Sequence, residues 1–117
     1  MTAFTVSYSW IKLRVQLLQT SQEVDARYRE GRRRRNGEHV HAYFQASKTE
    51  RARHSGTIVL ALDGRLAELI PHEVAHAVIH CLRGVSGNDD EVAATAIGML
   101  SASIFERVRT LHKPSKQ

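Results

Sequence analysis

Residues 69–80 read LIPHEVAHAVIH, with His72, Glu73, His76 and His80 crowded into a largely apolar stretch. At about 100° of turn per residue, Val74, Ala77, Val78, Cys81 and Leu82 share one broad apolar face. His72 and His76 stand one turn apart, at i and i+4, on the opposite side. The stretch therefore predicts an amphipathic helix that buries its aliphatic side and presents two histidines together. Pro71 is expected in the first turn of that helix, where its missing N–H costs nothing.

His72, Glu73 and His76 form the pattern H-E-x-x-H. Two imidazoles at i and i+4 can point nitrogens at one Zn²⁺, each at about 2.0–2.1 Å. Glu73 sits about 100° around the helix from His72 and cannot be a further ligand, but it can reach a water on the metal. There it would act as general base and later return the proton. The metal brings the pKa of its water towards about 7 and polarises a scissile carbonyl.

Such a site needs a third protein ligand and one open position. His80 lies eight residues past His72, about 12 Å along the axis, which is too far for a shared ion. The stretch GNDDEVAATAIGML, residues 87–100, is a better source. After a short glycine-rich turn it predicts a second helix running back past the first, from about Asp89 to Leu111, with Asp89, Asp90 and Glu91 in its opening turn. Glu91 is the preferred third ligand. Thr95, Gly98 and Ala102 follow it at i+4, i+7 and i+11, a seam of small residues expected to pack against the H-E-x-x-H helix. The same opening also reads as a capping box, with Asn88 as N-cap and Glu91 at N3.

Upstream, FTVSYSWIKLRVQLLQT (4–20) alternates at its start and then reads as helix, with Leu13, Leu17 and Leu18 on one face. TSQEVDARYREGRRRR (20–35) predicts a helix capped by Thr20 or Ser21 and ended near Gly31. EHVHAYFQAS (38–47) and GTIVLALDG (56–64) predict strands; the second is bounded by glycines and rich in β-branched residues.

The chain has 117 residues, 42% hydrophobic and 25% charged, with 6% aromatic. This predicts one globular domain over 1–117 whose core is mostly aliphatic. The fold class expected is α+β, a small and mainly antiparallel sheet packed on helices. A single cysteine, Cys81, excludes an internal disulfide and suits a reducing cytoplasm; on the apolar face it reads as core. No apolar run approaches the roughly 20 residues that span a bilayer, so no membrane association is expected. The first residues show no charge before their apolar part and no clear cleavage site, so no signal peptide is expected. The net charge is +5. Arg32, Arg33, Arg34 and Arg35 concentrate it, a candidate contact for nucleic acid or another acidic partner.

IPHEVAHAVIH followed by DDEVAATAIGML resembles the core of the zincin metallopeptidases, in their gluzincin-like branch. The second segment is similar to the E-x-x-x-x-A-x-x-L-L pattern of ImmA/IrrE-type peptidases, matched at Glu91, Ala96, Met99 and Leu100. The preceding strand resembles that of SprT-like minimal zincins, in which an edge strand binds substrate backbone. The resemblance spans roughly residues 56–105. It implies zinc held by His72, His76 and Glu91, Glu73 as catalytic base, and a protein or peptide substrate laid against Thr57 to Leu62. The competing expectation is a zinc-stabilised binding module without catalysis, contacting nucleic acid or a regulatory protein through the arginine segment.

Overall fold

A computed structural model describes residues 2–30, 40–48, 54–83 and 90–111. Four strands form one mixed sheet in the order β1 (Thr2–Tyr8), β2 (Ile11–Leu18), β4 (Gly56–Ala61), β3 (Ala42–Ala46). The β1–β2 and β3–β4 pairs are antiparallel, and β2 runs parallel to β4. Three helices, α1 (Ser21–Arg29), α2 (Leu66–Leu82) and α3 (Asp90–Leu111), complete an α+β fold.

Residues 2–18 are a hairpin rather than a strand followed by a helix. Ile11, Leu13, Val15 and Leu17 are buried, while Lys12 and Arg14 between them are exposed. This period of two is a strand's signature, and it outweighs the weaker helical spacing of Leu13, Leu17 and Leu18. The turn is short, since Tyr8 pairs with Ile11, and Ser9 takes a left-handed φ of 56° to make it.

One sheet face carries the main core. Phe4, Val6, Leu13, Val15, Ile58 and Leu60 meet Ile70, Val74 and Val78 of α2 and Ala96, Leu100 and Ile104 of α3. The other face is covered by α1, where Val24 packs on Leu18, Tyr43, Val59 and Ala61. Thr20 caps α1 by accepting the Glu23 amide at 3.2 Å, and the Glu23 carboxylate accepts the Gln19 amide at 3.3 Å. Asp25 then ties this helix to the sheet edge: one carboxylate oxygen accepts the Val40 amide at 2.9 Å and the other pairs with Arg29 at 2.8 Å.

Two expectations about helices change. α2 begins at Leu66, so Pro71 lies inside it rather than at its start. The missing Pro71 N–H removes the helical donor to the carbonyl of Ala67, and Ala67 is exposed, so the loss is cheaper there than it would be in the core. Burial of Ile70, with Leu66 and Leu69 packed beside it, holds the extra turn. On α3, Thr95, Gly98 and Ala102 are exposed, not packed on α2. Ala96, Leu100, Ile104 and Val108 bury more apolar area than the small seam offers, and they decide which side faces inward.

Candidate metal centre

α2 runs beneath β3 and β4 and turns its two faces to different surroundings. His72 and His76 are exposed, and Glu73 is buried at 6% accessibility. The Nε2 atoms of His72 and His76 converge to 3.2 Å, with the rings 4.7 Å apart and nearly perpendicular. Two nitrogens on one tetrahedral Zn²⁺ stand about 3.3–3.4 Å apart at ordinary Zn–N distances. The pair thus already has the separation that one ion requires.

Glu73 sits under the sheet edge. Burial pushes its carboxyl above the usual 4.5, and the neighbouring His72 and His76 draw it part of the way back. A carboxyl raised by burial and lining a cleft is a candidate for proton transfer. It lines a cavity of about 510 Å³ with Tyr28, Tyr43, Phe44, His76 and His80. His80 is not near enough to the pair to form a three-ligand group. Its ring instead tilts against Phe44 at 5.8 Å.

The third ligand is where the arrangement departs from expectation. Glu91 and Asp90 lie on exposed positions of α3. Among the described residues no third His, Cys, Asp or Glu joins His72 and His76 in a group able to hold a metal. Asp89 lies outside the described residues, as do Arg32, Arg33, Arg34 and Arg35. The donors present fit zinc at two positions, with the buried Glu73 carboxylate next to His72 in the sequence.

The strand assigned to substrate also changes. β4 is paired on both sides, by β2 and by β3, so Thr57 to Leu62 offers no open edge. β3 is the edge strand on this side of the sheet, and the cavity runs beside it. The Ala61 amide donates to the His41 carbonyl at 3.1 Å. By antiparallel alternation the peptide groups of Tyr43 and Gln45 then face β4, and those of Ala42, Phe44 and Ala46 face outward. Tyr28 and Tyr43, their rings tilted against each other at 5.2 Å, both line the same cavity. Sequence reading gave no reason to choose Tyr28. It is far from the motif along the chain, and α1 brings it in only because the crossover from β2 passes over that edge.

Comparison of the chain with protein-family models, curated proteins and solved structures found no match. No helix among the described residues is long and apolar enough to cross a membrane.

Proposed function

We propose that the chain is a small zinc-dependent metallopeptidase of the zincin type, with His72 and His76 as two ligands and Glu73 as general base. The convergence of two Nε2 atoms to 3.2 Å beside a buried carboxylate carries this reading. Asp90 and Glu91 do not join the pair, so on this account the third ligand lies outside the described residues, and Asp89 is the candidate. Bound zinc would acidify a water and polarise the carbonyl under attack.

The chain's own residues do the rest. An extended peptide adds to β3, its backbone paired with the outward peptide groups of Ala42, Phe44 and Ala46. That places a carbonyl over the cavity that Glu73 lines. Glu73 takes the proton from the attacking water and later gives it to the leaving amine. Tyr28 and Tyr43, which line the same cavity as Glu73, are the phenols assigned to stabilise charge developing on the carbonyl oxygen.

Hydrolysis of a fluorogenic peptide library tests the reading. Glu73→Gln should lower kcat by about 10²–10⁴-fold, the contribution of a positioned base, with folding and metal content unchanged. Ala46→Pro should raise KM instead, because it removes an outward N–H and spares the β3–β4 ladder. Undiminished turnover in Glu73→Gln would refute the assignment.

A second reading has support from the far side of the sheet. Lys12 and Arg14 are exposed there, and Arg27, Lys48 and His54 line a cavity of about 380 Å³ with no acidic residue among the described residues of its wall. This basic face suits a binding module that contacts nucleic acid phosphates. On that reading Arg14→Glu weakens salt-dependent binding of an oligonucleotide, and Glu73→Gln changes nothing.

A further inference from the structure

Residues 92–105, VAATAIGMLSASIF, contain no charged side chain over almost four turns of α3. One side of that stretch is accounted for, since Ala96, Leu100 and Ile104 are core. The other side is exposed and still uncharged. Met99 is 54% and Phe105 37% accessible. A β-carbon placed on Gly98 would meet nothing within 4 Å. Helices that are uncharged all round are normally covered all round.

The exposed side has internal order. Glu91, Thr95, Gly98, Ala102, Phe105 and Arg109 alternate in steps of four and three, and all six are exposed. This is the a/d spacing by which two helices pack along a shared seam. The seam reads as its own complement when reversed. Glu91 at one end answers Arg109 at the other, Thr95 answers Phe105, and Gly98 answers Ala102 at the centre. An antiparallel arrangement therefore sets an ion pair at each end and a large residue over a small one. It brings the two backbones closest where the side chains are smallest.

We propose that α3 pairs with α3 of a second copy of this chain, antiparallel about a two-fold axis between Gly98 and Ala102. The interface is isologous, so each contact occurs twice. The charge order selects the partner: a parallel pair would set Glu91 against Glu91 and Arg109 against Arg109. Arg109 already holds Glu106 of its own chain at 2.6 Å in the open, and in the pair it gains a second carboxylate. The proposal is independent of the metal reading, because it uses the side of α3 turned away from α2.

Sedimentation equilibrium of the full chain over a concentration series tests it. One helix face is a modest interface, so the monomer–dimer balance should move within the series. Wild type should show a two-fold equilibrium. Ala102→Glu buries a carboxylate at the centre of the seam and should weaken association at least tenfold, with circular dichroism confirming an unchanged fold. Arg109→Glu should weaken it at both ends. Adding Glu91→Arg to Arg109→Glu should restore it, because the end pairs return with their signs exchanged. A wild type that stays monomeric overturns the proposal. So does a dimer indifferent to Ala102→Glu, since the interface then lies elsewhere. Binding of monomer to phosphatidylcholine–phosphatidylglycerol vesicles, lost in Ala102→Glu, would assign the face to lipid instead.

Discussion

Gly56 opens β4 at the point where Phe44 of the edge strand crosses it. A β-carbon at Gly56 would stand 2.5 Å from Phe44 Cε1, 2.7 Å from Phe44 Cζ and 2.7 Å from the carbonyl oxygen of Gln45. Two of these contacts are with a ring and the third is with backbone. The ring can turn only by giving up its place against His80, 5.8 Å away. The Gln45 carbonyl faces β4 in the ladder and cannot retreat without loosening the pairing of Gln45 with Thr57. Overpacking of this kind costs about 1–3 kcal/mol. Replacing a strand glycine gives back roughly 0.5–1 kcal/mol of chain entropy. The difference runs from near zero to about 2.5 kcal/mol, and the backbone contact that cannot yield puts Gly56→Ala in the upper part of it, at about 1–2 kcal/mol destabilising, with Tm falling by several degrees at about 4 °C per kcal/mol for a domain of this size. Urea unfolding followed by circular dichroism measures it. Phe44→Leu tests the mechanism. It removes the ring contacts and leaves the backbone contact, so it should cost less in the Gly56→Ala background than in wild type. A neutral or stabilising Gly56→Ala, or strictly additive effects of the two changes, would refute this account of how the edge strand is seated.

Ser101 is buried on α3, and its hydroxyl oxygen has no hydrogen-bond partner among the described residues; Ser101→Ala should stabilise by about 1 kcal/mol in the same unfolding assay. Ser9 holds a left-handed φ of 56° in the β1–β2 turn, so Ser9→Gly should gain about 1 kcal/mol or slightly less. Glu73 gives a pH-dependent prediction for the metal-free protein. Its carboxyl is raised above the usual 4.5 by burial, so the native state binds its proton more tightly than the unfolded chain does. The contribution to stability is then greatest at low pH and falls as pH rises from 4.5 through the raised native value. Glu73→Gln should accordingly be more stable than wild type at neutral pH, and that advantage should shrink on acidification. An advantage that grew on acidification would reverse the sign of the argument.

How much could be read in advance depended on the competition between signals in each segment. The strand at 56–61 and the α2 helix were legible because nothing opposed them: glycines bracket one, and a clean aliphatic face with two histidines opposite defines the other. The hairpin at the start was obscured because Leu17 and Leu18 are adjacent and both buried, one on each face of the sheet. Adjacent apolar residues imitate helical spacing when a strand has both faces covered. The convergence of His72 and His76 was legible because their geometry is local to one helix. Glu91 is a tertiary question. The side of α3 that turns inward was settled by large aliphatic residues four apart, and the small-residue seam beside them spoke for a contact of a different kind. The edge role passed from β4 to β3 for a related reason. Strand order depends on a parallel β2–β4 pairing across the crossover, and no local pattern encodes it.

Metal content of protein purified without added zinc, measured by elemental analysis beside His72→Ala and His76→Ala, bears most directly on the central claim. The account predicts one zinc per wild-type chain and its loss in both variants, because each removes one of the two nitrogens that stand 3.2 Å apart. A wild type that folds fully and takes up no zinc, even when dialysed against it, would contradict the claim and leave the basic sheet face as the better guide to function.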